Sequence, residues 1–444
     1  MRDGYTFEAD SDIRALGVSR ERAWAVTCLA MLGLAVTLIH RQALAAIAVT
    51  VSTSIGISDV AYGWLSSAFA SAYLVGSVPG ARFMQRFGPR IGLAATLGLT
   101  SVAIGLHGFV TSYWSLLGLR ICLGLAVAPA FSCATHTVHR VLPFKDRSRG
   151  IGLLYMGNSI GSAICPPLAV AFNSVFGWRD AFFGVAAAGI AWVPLWILMA
   201  FTGAARERLD RFSLTPPPLH RKKMPSTGDA APRPAPPANP ALFRGSFVVA
   251  AAAPVTTVML LWGTKYLVSD HGLSQTETGR YLWLPALCFG SGSMLFGELR
   301  GRKARSRAHT RPPRGLMAAA GALTTLMAAV PLARGPVGCV LIASLAMAGA
   351  GGLYTLATSD MLAFAPRGSV PVTTGLTTLT QSLVYIVVSP IIGKLVEISG
   401  SYRWVMVGAG LWVLPGCVFW LLAASLEKQA KKSRRGRDAV SDIV

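Results

Sequence analysis

The chain has few charged residues for its length, and acidic residues are the scarcest. Charged residues make up 14% of its 444 residues, whereas a soluble protein carries about 25%. Only 19 Asp and Glu accompany 41 Lys and Arg, which gives a formal net charge of +22. Because 53% of the chain is hydrophobic, the composition excludes a disordered chain. The same apolar content argues against a soluble nucleic-acid binder, despite the excess of basic residues.

Sequence motifs for catalysis and metal binding are missing as well. The sequence contains no phosphate-binding glycine loop, nucleophile elbow or metal-ligand cluster, and its seven His residues are scattered. Its seven Cys residues lie within apolar runs and show neither zinc spacing nor a disulfide framework. We therefore predict that the protein is not an enzyme and has no cofactor or metal site.

What the sequence does contain is a series of long apolar runs. A helix needs about 20 apolar residues to cross the hydrocarbon core of a bilayer. Residues before the first run are polar and no small-residue cleavage site follows it, so we predict a membrane span rather than a signal peptide. Twelve spans are predicted, near 23–49, 60–81, 91–111, 114–138, 150–172, 181–201, 246–268, 280–299, 315–333, 337–361, 371–397 and 403–425.

A proline-rich stretch divides these spans six and six. Nine prolines fall between Pro216 and Pro240, a composition typical of an extended or disordered linker. The prediction is an all-α membrane protein of two six-helix bundles. Its parts are an N-terminal tail (1–22), a first bundle (23–202), a basic linker (203–244), a second bundle (245–426) and a basic tail (427–444).

The positive charge lies mainly on one side of the predicted spans. If both termini are cytoplasmic, 33 of the 41 Lys and Arg residues lie in cytoplasmic loops and tails, as the positive-inside rule requires. We predict a bacterial inner-membrane protein with this topology. Binding of nucleic acid or of anionic lipid is the alternative role for the basic run Arg300 to Arg314.

Three cations lie inside predicted spans, where a charge costs several kcal/mol unless it faces protein or water. Arg41 is about two thirds along the first span, Arg120 is in the fourth and Lys265 is near the outer end of the seventh. Snorkelling and structural ion pairing are the alternatives to substrate binding. No Asp or Glu lies near the middle of any span. Cations without buried acids predict an anion-selective cavity, since guanidinium binds carboxylate bidentately.

The order of these features resembles the major facilitator superfamily, and within it the anion:cation symporter family of hexuronate, glucarate and galactonate permeases. The first span has Arg41-Gln42-Ala43-Leu44 where that family has Arg-x-x-Leu. The resemblance extends over nearly all the spans. Its further motifs are Ser67-Ala68-Phe69 with Tyr73, Arg86-Phe87-Gly88-Pro89-Arg90, Leu119-Arg120, Asn158 with Gly161 and Pro166-Pro167, Gly177-Trp178-Arg179, Lys265-Tyr266-Leu267 and Trp283-Leu284-Pro285.

The resemblance implies roles for individual residues. Arg41 would bind the substrate carboxylate, and Tyr73 and Asn158 would hydrogen-bond the substrate, with helix packing as the alternative. Gln381 is a polar residue at a level comparable to the family's ligand in the eleventh span, although Leu383 is the closer match to that ligand.

Two departures concern coupling to protons. His40 replaces the Asp that precedes the family's Arg, and Val127 occupies the position of a Glu. Three modes remain open: protonation of His40, whose ordinary pKa is near 6.5, exchange of anions, or uniport. A packing role for His40 is the alternative. In addition, Gln85 replaces the Asp of the loop between the second and third spans.

The predicted function is secondary transport of a small organic anion by alternating access, carried out by a monomer in the lipid bilayer. Protons or a counter-anion are the candidate coupling partners, and nucleic acid is not a partner. Two alternatives remain. One is an exporter of a drug or of an anionic metabolite such as a siderophore, and the other is a non-transporting sensor that has the transporter fold.

Overall fold

The computed structural model describes residues 19–210, 240–306, 314–364 and 370–423, and within these ranges the ordered elements are helices. Eleven helices are long and apolar enough to cross a membrane, and one of them, Asp59–Phe109, has 51 residues. A straight helix of that length would extend about 75 Å, more than twice the hydrocarbon thickness of about 30 Å. It therefore represents two spans, and the described chain crosses twelve times.

The long helix is divided at Gly88, where φ is 76° and ψ is 167°. A positive φ favours glycine, and Pro89 follows without a backbone N–H. A Cβ placed on Gly92 would lie 4.0 Å from Cα of Met84. Residues eight apart on a continuous helix are about 12 Å apart, so the chain turns back at this point.

The predicted all-α, twelve-span architecture is confirmed. We number the spans α1 to α12, and α2 and α3 are the parts of Asp59–Leu106 before and after Gly88. The others are α1 Arg20–Ala46, α4 Tyr113–Val141, α5 Phe144–Phe176, α6 Trp178–Ala200, α7 Leu242–His271, α8 Trp283–Ser306, α9 Arg314–Leu332, α10 Gly335–Phe364, α11 Val370–Ser399 and α12 Arg403–Ala423.

Helix α7 contains a π-helical turn. Residues Val258–Trp262 are π-helical, between α-helical segments that end at Thr257 and begin at Gly263. Such turns insert an extra residue into a helix and are frequent at functional sites. Side chains on either side of this turn therefore point in directions that a continuous α-helix would not give.

Small residues let the helices of the first bundle approach closely. A Cβ on Gly161 of α5 would meet the backbone of Ala35 in α1, and one on Gly124 of α4 would meet the carbonyl oxygen of Phe69 in α2. Backbone-to-backbone packing of this kind is typical of membrane helices. It fixes α1, α2, α4 and α5 around the first bundle's polar residues.

The two bundles are joined at one end. We call the side on which α1 begins the terminal face and the opposite side the far face. Four inter-bundle contacts form what we call the far-face seam, between the far face and the middle of the helices. They are Lys265 Nζ with Asp59 Oδ1 (2.6 Å), Val60 N with Glu397 Oε1 (3.0 Å), Tyr62 Oη with the Leu261 oxygen (2.7 Å) and Ser67 Oγ with the Ile386 oxygen (2.7 Å).

The stretch 203–244 differs in part from the predicted extended linker. Residues Gly203–Asp210 form a short helix and a helix begins at Pro240, whereas 211–239 lie outside the described residues. Ala205 and Leu209 of the short helix are 1% and 0% exposed. Their burial against the first bundle stabilises this short helix, which the basic composition of the stretch did not predict. The predicted tail 427–444 and most of 1–22 also lie outside the described residues.

Candidate substrate site

Arg41 of α1 lies against two aromatic rings of α2. Its Cζ is 5.5 Å from the ring centroid of Phe69 and 5.0 Å from that of Tyr73. The two rings are four residues apart on one helix face and lie nearly parallel, with centroids 6.5 Å apart. Cation–π attraction positions the guanidinium. Among the described residues no carboxylate lies within ion-pair distance of it, and its side chain is partly exposed.

Arg120 of α4 contacts both Arg41 and Phe69. It is only 5% exposed, and its Nη1 donates to the carbonyl oxygen of Arg41 at 3.4 Å. Its Cζ is 5.7 Å from the ring centroid of Phe69, and its Nε has no hydrogen-bond partner in the described part of the chain. Arg41, Phe69, Tyr73 and Arg120 therefore form one group, which we call the arginine–aromatic cluster.

The second bundle brings a polar network towards Arg41. Gln381 Nε2 donates to Tyr385 Oη at 3.1 Å, and Tyr385 Oη is 3.0 Å from Thr256 Oγ1 of α7. Tyr385 lies within electrostatic range of Arg41. We call Thr256, Gln381 and Tyr385 the hydroxyl network. Of its members the sequence analysis identified Gln381 alone, although Tyr385 follows it by four residues and therefore shares its helix face.

Asn158 lies on α5, and its buried Oδ1 has no hydrogen-bond partner within the described ranges. One helical turn further along, Ser162 accepts a hydrogen bond from Gln42 Nε2 at 2.9 Å, and Gln42 follows Arg41 in sequence. Gln42 and Ser162 also line a cavity of about 20 Å³ between the bundles, about the volume that one water molecule requires. Gln42, which the sequence analysis did not select, thus links α1 to α5 beside the cluster.

Lys265 is not in the arginine–aromatic cluster. Its ammonium pairs with Asp59 across the bundles and lies 4.6 Å from the ring centroid of Tyr62. The side chains of Lys265 and Asp59 are 8% and 28% exposed. Lys265 is therefore a component of the far-face seam, with its charge compensated.

His40 lies on a different face of α1 from Arg41. It is 0% exposed, with Nδ1 at 3.2 Å from Thr100 Oγ1 of α3 and Nε2 at 3.2 Å from the Val185 oxygen of α6. Both ring nitrogens are thus occupied by groups of the first bundle.

The second bundle contains a buried arginine of another kind. Arg244 Nε and Nη2 donate to Asp360 Oδ2 and Oδ1 at 2.8 and 3.1 Å, and both side chains are 1% exposed. Trp420 Nε1 also donates to Asp360 Oδ2, at 3.2 Å. The sequence analysis assigned Arg244 to the linker, because it lies next to the proline-rich stretch. The pair is a structural connection between α7, α10 and α12.

Two six-span halves with a polar centre are typical of membrane transporters, and the long apolar helices make this an integral membrane protein. The chain belongs to the major facilitator superfamily, whose family model matches residues 23–387. This is a family of transporters, so the prediction that the protein is not an enzyme is confirmed.

Several curated transporters of organic anions are similar to the chain. A D-galactonate transporter of Escherichia coli O6:H1 is 30% identical over 158 residues, which cover 36% of this chain and 37% of the relative. The hexuronate transporter of Escherichia coli strain K12 is 24% identical, covering 62% and 64%. A probable sulfoacetate transporter of Cupriavidus necator is 26% identical over 376 residues, covering 82% and 85%. The chain therefore matches about a third of the length of the galactonate relative and most of the sulfoacetate relative.

Solved structures confirm the fold. A bacterial homologue of the human lysosomal transporter Spinster, in an inward-facing and occupied conformation, has a TM-score of 0.72 at 18% identity, with 92% of this chain and 98% of that chain covered. Its unoccupied form has a TM-score of 0.71.

Proposed function

We propose that this protein transports a small organic anion with a carboxylate group by alternating access. The observation that carries the proposal is the guanidinium of Arg41. It lies against the rings of Phe69 and Tyr73, and no described Asp or Glu pairs with it. A charge that is kept inside the membrane without a counter-ion gains most from an anionic substrate. The relatives' names, which specify galactonate, hexuronate and sulfoacetate, support the same class of substrate.

Each residue of the cluster has a proposed role. Arg41 binds the carboxylate through two parallel hydrogen bonds. Arg120 positions Arg41 by holding its backbone carbonyl and adds positive potential. Tyr73 and Asn158 from the first bundle and Gln381 from the second donate or accept hydrogen bonds to the rest of the substrate.

Access would alternate through the far-face seam. In the described conformation Lys265 and Asp59 hold the bundles together at the far face. Opening towards that face requires this pair to separate, so we assign Lys265 to gating instead of the substrate contact predicted from sequence. The excess of cations on the terminal face supports a cytoplasmic location for both termini, in a bacterial inner membrane, and one chain contains the whole pathway.

The surroundings of His40 bear on how transport is coupled. The burial of His40 and its bonds to Thr100 and Val185 favour anion exchange or uniport over direct protonation of this residue. Protonation of His40 would require those bonds to rearrange on each transport cycle.

The proposal is tested by counterflow in proteoliposomes made with the full chain, using a panel of labelled mono- and dicarboxylates and sugar acids. We expect uptake of at least one anion above that of protein-free liposomes, and we expect Arg41→Ala to abolish it. Arg41→Lys should recover little, because an ammonium cannot form the bidentate contact. Loss of hydrogen bonds to a charged group costs about 1.5–3 kcal/mol, or about tenfold to a hundredfold in affinity.

Arg302→Ala is the matched control. Arg302 is exposed and pairs with Glu298 on the same helix, so its removal should leave uptake within about twofold of the wild type. Near wild-type uptake by Arg41→Ala would disprove the proposed site, and absence of uptake for every anion tested would disprove the proposed function.

A further inference from the structure

Pro390 leaves one backbone carbonyl of α11 without its usual donor. It lies inside this helix, and a proline has no backbone N–H. In an α-helix the N–H of each residue donates to the carbonyl four residues earlier, so the carbonyl of Ile386 receives no such bond. An unsatisfied backbone carbonyl is unfavourable inside a membrane protein. Ile386 therefore needs a donor from outside its own helix.

The donor comes from the other bundle. Ser67 of α2 is 2% exposed, and its Oγ donates to the Ile386 carbonyl oxygen at 2.7 Å. A serine in a helix commonly donates to a carbonyl of its own helix, as Ser77 of α2 does to Leu74 at 2.7 Å. A hydroxyl has a single hydrogen, and the hydrogen of Ser67 is used between the bundles.

Glycines bring the backbones of α2 and α11 close together on this side of the molecule. A Cβ on Gly63 of α2 would lie 2.6 Å from the carbonyl oxygen of Ser389 and 2.8 Å from Cα of Pro390. A Cβ on Gly393 of α11 would meet the carbonyl oxygen of Asp59. Small residues permit such close approach of membrane helices. A side chain as short as serine therefore reaches across the interface, and separation of the helices by a few ångström breaks its hydrogen bond.

The bond between Ser67 and Ile386 lies beside the candidate site as well as in the far-face seam. On α2, Ser67 precedes Phe69 by two residues. On α11, Ile386 directly follows Tyr385, which lies within electrostatic range of Arg41. Because its hydrogen is used on a backbone carbonyl, Ser67 acts through the backbone of α11, which makes it a positioning residue.

We propose that Ser67 holds the far face closed by supplying the hydrogen bond that Pro390 removes from α11. When the bundles are joined, Ser67 donates to the Ile386 carbonyl, and when they separate at the far face, water takes its place. The proline thus makes closure depend on one hydroxyl of the opposite bundle. This inference rests on the proposed function, because it takes the far face to open during transport.

The inference is tested by a double-mutant cycle in the full chain, purified in lipid nanodiscs. Each variant carries a Thr264→Cys reporter, because Thr264 is 3% exposed and contacts Ala46 of the first bundle. The rate at which a water-soluble maleimide labels the reporter measures opening of the far face. Labelling of the same variant without the reporter is subtracted, because the chain has seven native cysteines.

We expect Ser67→Ala to raise the labelling rate at least about fivefold, the equivalent of about 1 kcal/mol, because the Ile386 carbonyl loses its donor in the closed state. Pro390→Ala restores an N–H that donates to Ile386 within α11. In that background Ser67→Ala should raise the labelling rate by less than about twofold. A residue that merely filled space would give the same increase in both backgrounds.

Ser77→Ala is the matched control, because it removes a serine hydroxyl that donates within α2. Its labelling rate should stay within about twofold of the wild type, and this comparison does not require Pro390→Ala to fold. Equal labelling of Ser67→Ala and Ser77→Ala, or the same increase with and without Pro390→Ala, would overturn the inference, while opening of the far face still stands. Absence of reporter labelling in every variant, including Lys265→Gln, would overturn alternating access itself.

Discussion

The two halves of the molecule differ in how the charges of their arginines inside the membrane are compensated. In the second half Arg244 donates to Asp360 through two nitrogens, and Trp420 donates to the same carboxylate. In the first half Arg41 and Arg120 surround Phe69, and no described carboxylate pairs with either of them. A buried pair with all its bonds made is a fixed part of the structure. A cation inside the membrane without an acidic partner can bind an external anion, and under the proposed function this difference separates structural support from substrate binding.

The largest effect on stability should come from breaking the pair in the second half. Arg244→Met leaves the carboxylate of Asp360 buried without its cation, which costs about 3–5 kcal/mol. We expect a clear fall in melting temperature, measured by thermal unfolding in detergent. Glu298→Gln breaks an exposed pair and should cost at most about 1 kcal/mol.

The double variant Arg244→Met with Asp360→Leu sharpens the comparison. Since it removes both charges, it should be less destabilised than Arg244→Met alone. If Arg244→Met retained wild-type stability but lost anion binding, the second half would contain a substrate cation and the comparison between the halves would be wrong.

A middle-sized effect is expected at the pair that joins the halves. Lys265→Gln removes the charge that holds Asp59 across the far-face seam, so the population open to the far face should rise several-fold. The measurement is labelling of a Thr264→Cys reporter by an impermeant thiol reagent. Thr264 is 3% exposed, and its Oγ1 lies 3.5 Å from the carbonyl oxygen of Ala46 in the first bundle. A cysteine at this position should therefore become accessible when the bundles separate.

The exchange of charges, Lys265→Asp with Asp59→Lys, is the control, because it restores attraction with the opposite polarity. It should return labelling towards the wild-type level. Unchanged labelling in Lys265→Gln, or greater labelling in the exchanged pair than in the single variant, would show that this ion pair does not hold the seam.

The smallest effect is expected at His40. Gln at this position keeps a side-chain amide near Val185 and cannot be protonated near neutral pH. We expect uptake by His40→Gln to stay within about twofold of the wild type at each imposed pH gradient, in proteoliposomes. If the wild type accumulates substrate on a pH gradient and His40→Gln does not, while counterflow persists, protonation of His40 would be the coupling step.

Sequence reasoning was most successful where one segment alone decides the outcome. Long apolar runs fixed eleven described helices and twelve crossings, and Gly88-Pro89 lies between two of the predicted spans. The same reasoning could not place Arg244, since pairing with Asp360 joins residues 116 positions apart. It likewise could not distinguish the compensated Lys265 from the uncompensated Arg41, because the compensating Asp59 lies on the other bundle.

The site shows the same division. Arg41, Tyr73 and Arg120 were predicted and lie together around Phe69. Thr256 and Tyr385 were not predicted, because their role depends on contact between α7 and α11 and on the π-helical turn that follows Thr257. Polar residues four positions apart, as in Gln381 and Tyr385, are the signal that could have found them.

Helix α2 takes part in both the seam and the site. Asp59 and Ser67 contact the second bundle, while Phe69 and Tyr73, which lie about half a turn and about one and two-thirds turns beyond Ser67, contact the guanidinium of Arg41. A movement of α2 that separates the seam therefore also moves the rings that contact the guanidinium proposed to bind the anion. Thermodynamic linkage then requires reciprocity. If separation of the seam changes the affinity for the anion by some factor, anion binding changes the equilibrium between the joined and the separated seam by that same factor. Helix α2 would therefore couple anion binding to separation of the bundles.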